Sequence, residues 1–143
     1  MSQQIDLERF QRAHNQYYDK ALFEIRSGRK NSHWMWFIFP QIKGLGKSET
    51  AQYYAIENKE EALAFLFDPI LGNHIREISM ELLKINSNDP IAVMGIPDNL
   101  KLRSCMTLFY EVSKEKVFYD VLVKFYCGEE DRKTLNILKR QEG

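Results

Sequence analysis

Charge of one sign is missing from this chain of 143 residues: twenty Lys and Arg stand against twenty Asp and Glu. That balance removes the bulk attraction that duplex nucleic acid or an anionic lipid surface would need, so neither is an expected partner. Long hydrophobic runs are missing as well. The longest, Trp34 to Phe39, falls far short of the roughly 20 residues that cross a bilayer. The polar start MSQQIDLERFQRAHNQ holds no apolar stretch of signal-peptide length. The expectation is a cytoplasmic protein with no membrane partner. Cysteine is scarce: Cys105 and Cys127 are the two present, their separation matches no metal-binding pair, and both read as reduced, buried packing residues. The three His are scattered, with no His-x-x-x-His and no carboxylate triad, so no metal and no cofactor are expected.

What the chain does have is the means to make a core. It is 44% hydrophobic and 28% charged, a composition that excludes disorder. A chain of this length buries roughly two-thirds of its unfolded surface as one domain. Phe10, His14, Tyr17, Ala21, Leu22 and Ile25 recur at steps of three and four, which places them on one face of a helix from about Asp6 to Ser27. Asp68-Pro69 and Asp89-Pro90 each pair an Asp cap with proline at the first helical position. Leu71, Ile75, Ile78, Leu82 and Ile85 make a second stripe, and Leu102, Cys105, Met106 and Phe109 a third. Val117, Val121, Leu122 and Phe125 mark a further helix, and Leu135 and Leu138 the last. The expected architecture is mainly α, a single compact orthogonal helical domain over 1–143 with an ordered core of about 5–139 and about six or seven helices. At most one strand-like segment, 34–39, joins them, and a lone strand cannot form a sheet.

That segment belongs to the most unusual stretch in the chain, HWMWFIFPQIKGLGKSE, His33 to Glu49. An aromatic run meets Pro40, and Gly44 and Gly46 then punctuate a loop ending in Gly46-Lys47-Ser48. A phosphate loop of the Walker type needs a glycine five positions before Gly46, where this chain has Gln41, and a parallel sheet around it. Both are lacking, so nucleotide hydrolysis of that type is rejected. Two readings remain. In one, the aromatics fill the helical core and the glycines make a turn. In the other, a small-molecule pocket borders the segment: Trp36 stacks a ring, while Gln41, Lys43, Gly44, Gly46, Lys47 and Ser48 hold an anionic, nucleotide-like group. Lys101 and Ser104 share a helix side with Cys105 and would complete the pocket. His33, at the end of a polar connector, is the candidate general base. His14, on the apolar stripe, reads as a hydrogen-bonded core residue, and His74 as a helix-surface residue. The spacing does not decide which of Trp34 and Trp36 faces the core.

HWMWFIFPQIKGLGKSE, YYAI, DPILGNHIRE, NLKLRSCMTLF and GEEDRKTL together resemble, over about Ile5 to Leu138, a family of mainly α-helical bacterial domains of unknown function. Some of its members carry the label calpastatin. Calpastatin is a disordered protease inhibitor, whereas this chain is composed to fold around a core. SETAQYY and the Lys101–Phe109 segment are also loosely similar to the NADAR proteins, which act on ADP-ribose-type N-glycosides. That resemblance implies binding or hydrolysis of a nucleotide-like N-glycoside. The alternative is a non-catalytic interaction module that uses an apolar helical face.

Overall fold

The computed structural model describes residues 5–142, among which nine helices follow one another. They are α1 (Glu8–Arg26), α2 (Met35–Ile38), α3 (Glu49–Tyr53), α4 (Lys59–Phe67), α5 (Pro69–Lys84), α6 (Pro90–Met94), α7 (Asp98–Ser113), α8 (Lys116–Tyr126) and α9 (Arg132–Glu142). The stretches expected to be helical are helical. Asp68 caps α5 through the amides of Ile70 and Leu71, Asp89 caps α6, and Asn58 caps α4. α5 packs on α1, α4 and α8, and α7 packs on α4, α8 and α9.

Nine helices exceed the six or seven expected, because α2, α3 and α6 are single turns too short to display a period. The strand-like segment is the clearest correction. Ile38 N–H donates to the Trp34 carbonyl and Phe39 N–H to that of Met35, both at 3.1 Å, which makes it a turn of helix. Trp34, Met35, Phe37, Ile38 and Phe39 are all buried. A turn buried on nearly every side shows no polar face and therefore reads like a buried strand. The extended backbone lies elsewhere, in an isolated parallel bridge of Ile42 with Ile56. One hydrophobic cluster gathers residues from α1, α2 and α4 to α8, and a line of rings crosses it: Phe10 to Phe65 at 5.1 Å, Phe65 to Phe109 at 5.3 Å and Phe109 to Phe118 at 5.9 Å. Residues 1–4 and 143 of the expected domain lie outside the described residues.

Trp34, not Trp36, is the core tryptophan, and its indole N–H donates to Glu24 Oε1 at 2.9 Å. The same buried carboxylate accepts from the amides of Asn31 and Ser32, at 2.7 and 2.9 Å, and from Ser32 Oγ at 2.6 Å. Burial alone would raise its pKa, but the bonds from Ser32, Asn31 and Trp34 hold it below the ordinary glutamate value. Beside it Lys30 pairs with Asp98 at 2.9 Å, and the Lys30 amide donates to the Val93 carbonyl at 2.7 Å. These contacts tie the connector between α1 and α2 to the start of α7.

His14 is buried as expected, and its Nε2 lies 2.7 Å from the Phe37 carbonyl. His74 is not a plain surface residue. It lies flat against the Tyr18 ring, with centroids 3.5 Å apart, and its Nδ1 is 3.0 Å from that of His14. One proton assignment satisfies every contact: His14 Nε2–H donates to Phe37 and His74 Nδ1–H donates to His14 Nδ1. Both rings are then neutral. Burial lowers the pKa of His14 to about 4 and also lowers that of His74.

Two outcomes follow from these buried groups. Glu24→Gln leaves donors facing an amide and should cost roughly 3 kcal/mol in urea unfolding at pH 7. An unchanged midpoint would show that the carboxylate holds nothing in place. His14 binds a proton more readily unfolded than folded, so its contribution destabilises the fold progressively as pH falls from 6.5 toward about 4. The loss is on the order of 3 kcal/mol. Glu130, raised to about 7 by burial and by the neighbouring Glu111 carboxyl, works in the opposite direction. It is common to wild type and His14→Gln, so it cancels when their profiles are subtracted. The variant should be less stable at pH 7 and flatter below pH 6.5; parallel profiles would refute the assignment.

Candidate functional site

Pro40 ends α2 and the chain then enters the glycine loop. The loop is pinned at both ends of the Ile42–Ile56 bridge, with Lys43 N–H donating to Ile56 O and Ile56 N–H to Gln41 O, each at 2.8 Å. Gly44 has φ +110°, which side-chain-bearing residues rarely adopt. Gly46 is required for a different reason, because a Cβ there would sit 2.4 Å from the Cβ of Ala51. Ser48 Oγ accepts from Ala51 N–H at 3.1 Å and caps α3. Both glycines and Ser48 therefore have work inside the fold.

Against this loop lies the first half of α7, and between them is an open concavity of about 410 Å³. Its walls bring together Gln41, Gly44, Gly46, Lys47, Lys101 and Ser104, all singled out from the sequence. Leu45, Pro97, Leu100, Arg103, Asp131 and Lys133 complete them and were not. Asp131 immediately precedes α9 and Lys133 lies in its first turn, both remote in sequence from the loop, and their only local signal is the charge run GEEDRK. Trp36 borders a small enclosed space beside the concavity, together with Gln41, Gly46 and Lys101. Lys101 Nζ lies 5.7 Å from its ring centroid, so the ring face expected to stack a ligand is shared with a lysine.

Other expected site residues are placed apart. His33 is exposed and lines none of these walls. Lys43 is exposed too and pairs with Glu57 at 3.1 Å, away from the lining residues. Cys105 is fully buried, and burial raises its thiol well above the ordinary value, which makes it a poor nucleophile. Cys127, expected to be buried, is exposed at the left-handed end of α8.

The charges around the concavity are unequal. Among the described residues, Lys47, Lys101, Arg103 and Lys133 contribute to its walls, against Asp131 alone. Lys101 is 3.6 Å from Asp98, whose closer partner is Lys30 at 2.9 Å. Arg103 Nη2 is 3.9 Å from Asp131 Oδ1, and Arg103 Nε is buried without a hydrogen-bond partner among the described residues. A second concavity, of about 440 Å³, has the opposite character, with Glu57, Glu60, Glu111 and Glu142 beside Lys59. None of the expected site residues lines it. Among the described residues no cluster of His, Cys, Asp and Glu is arranged to hold a metal ion, and no helix is long and apolar enough to cross a membrane.

A family model described as protein of unknown function DUF1810 matches residues 4–138. The chain belongs to that family. The chain's fold is similar to the crystal structure of a conserved hypothetical protein from Mycobacterium tuberculosis, with a TM-score of 0.92 and 41% sequence identity over 94% of this chain and 96% of that one. No curated protein matches the chain.

The close approach at Gly46 gives a direct check on the loop. Gly46→Ala forces the Ala51 methyl to give way and should cost on the order of 1–3 kcal/mol by overpacking. Urea unfolding of Gly46→Ala beside wild type measures it, and equal midpoints would show that the loop has slack at Ala51.

Proposed function

We propose that the concavity between the glycine loop and α7 binds a small anionic, nucleotide-like ligand. The observation that carries this reading is the surplus of Lys47, Lys101, Arg103 and Lys133 over Asp131 on one concave surface, in a chain whose formal net charge is zero. A cleft lined by one sign of charge concentrates ions of the other sign. The volume of about 410 Å³ falls in the usual range for small-molecule sites, roughly 300–1,000 Å³.

The proposal is for binding. Hydrolysis of an N-glycoside needs a group that moves a proton within hydrogen-bond reach of the reacting atoms. His33 lies outside these walls. Asp131, the carboxylate within them, is bound through Oδ2 to Thr134 N–H and Oγ1. The interaction-module alternative has less to recommend it. Exposed large apolar side chains, among them Phe23 on α1, Phe67 on α4, Ile70 on α5 and Ile96 before α7, are ordinary on a folded surface, and nothing in the structure names what would cover them.

Isothermal titration with ADP-ribose, nicotinamide mononucleotide and uncharged adenosine tests the reading. The two phosphorylated ligands should bind, more weakly as salt rises, and adenosine should bind at least tenfold less tightly. Lys101→Glu should weaken the charged ligands about tenfold or more with folding intact. Absence of heat at millimolar ligand with folded protein would remove the proposal.

A further inference from the structure

Arg103 stands in the wall of the concavity with bonding capacity unused. A guanidinium carries five N–H donors and no acceptor, and one largely removed from water ordinarily commits them to carboxylates or carbonyls. The Arg103 side chain is 28% exposed; among the described residues Nε has no partner and is buried out of a ligand's reach, so the donors open to a ligand are those of Nη1 and Nη2. Its ion-pair contact among the described residues, Nη2 to Asp131 Oδ1, spans 3.9 Å, too long for a hydrogen bond. Asp131 is held where it is. Its Oδ2 accepts from Thr134 N–H at 2.9 Å and Thr134 Oγ1 at 2.7 Å, and its own amide donates to Thr107 Oγ1 at 2.8 Å. On another side the guanidinium lies 5.9 Å from the Tyr126 ring centroid, a contact that orients the group while satisfying none of its acceptor needs.

The ligand class follows from the charge count and from the opposite wall. Four cations against one carboxylate, with Lys101 only loosely paired to Asp98, leave a surplus that a single carboxylate does not offset and a phosphoryl dianion goes far to offset. The guanidinium fork matches phosphate oxygens in geometry. Leu45, Pro97 and Leu100 supply an apolar surface in the same concavity. We infer that the site takes an organic phosphate, its phosphoryl group on Arg103 and its apolar or ring-bearing remainder on Leu45, Pro97 and Leu100. This rests on the concavity being a binding site, and it adds the anchoring residue, the class of ligand and its orientation. Asp131 is the group that opposes the phosphoryl charge.

Titration calorimetry at fixed ionic strength, with phenyl phosphate, inorganic phosphate and benzoate as probes, tests both the class and the anchor. Phenyl phosphate combines dianion and ring and should bind at least tenfold more tightly than either part alone. Arg103→Gln should lose tenfold or more in phenyl phosphate affinity, and Arg103→Lys, which keeps the charge without the fork, severalfold. Asp131→Asn retains a capping oxygen for Thr134 and should bind severalfold more tightly. Urea midpoints establish that each variant is folded, and Lys101→Glu serves as the reference for the site. Arg103→Gln binding phenyl phosphate as wild type does, while Lys101→Glu loses it, overturns the anchor and leaves the site standing. Benzoate matching phenyl phosphate overturns the ligand class. No binding of any probe, with ADP-ribose also silent, overturns the site and this inference together.

Discussion

Glu24 lies on the buried side of α1 with its carboxylate accepting from two backbone amides, a serine hydroxyl and the indole of Trp34. A carboxylate removed from water is costly unless its oxygens are satisfied, and here the donors come from the connector that follows the helix. The connector is thereby folded back onto α1, and Trp34 enters the core at a set depth. α2 begins at the next residue, so the path of the aromatic run and the exit of the chain at Pro40 depend on that anchor. Lys30, in the same connector, pairs with Asp98 and bonds Val93. One short segment therefore locates both the glycine loop and the start of α7.

The concavity is a consequence of that placement. One wall is the loop after α2, pinned by the Ile42–Ile56 bridge and by the contact of Gly46 with Ala51. Another is the first half of α7, and the start of α9 closes the third side through the bond between the Asp131 amide and Thr107. The glycines that suggest a phosphate cradle when read in isolation are explained by backbone conformation at Gly44 and close approach at Gly46. What gives the surface its character is the set of cations delivered by three separate elements.

Zero net charge hides a local division. The basic concavity and the acidic one lined by Glu57, Glu60, Glu111 and Glu142 are both reached by residues of α9, Lys133 at its start and Glu142 at its end. Totals of charge are silent on a single cleft, because fields inside a cleft depend on which few groups share it. A similar distinction applies to the histidines. His14 and His74 meet as a neutral pair across α1 and α5, and burial, more than any neighbouring charge, sets their protonation.

The helical class, the proline-led starts of α5 and α6, the burial of His14 and the apolar stripes of α1, α5, α7 and α8 were legible in the residues alone, except that Tyr17 is exposed and Tyr18 buried on α1. Each depends on neighbours within one or two helical turns, where periodicity and capping chemistry act. The one-turn helix α2 was not, since the buried turn Trp34–Phe39 leaves no pattern to distinguish it from a strand. Of the candidate site, the residues contiguous in the loop and the pair Lys101 and Ser104 were found by composition and spacing, and the tertiary structure brings many of them to one surface. His33 and Lys43 were drawn in by nearness in sequence, and chain direction carries them away from it. Arg103, Asp131 and Lys133 became visible only when α9 was packed against α7. Their meeting rests on a long-range contact, through Thr107 and Asp131, that no local pattern records. The amino-acid sequence by itself determined which segments coil and which sides of them avoid water; the packing of those segments decided which charges share a cleft.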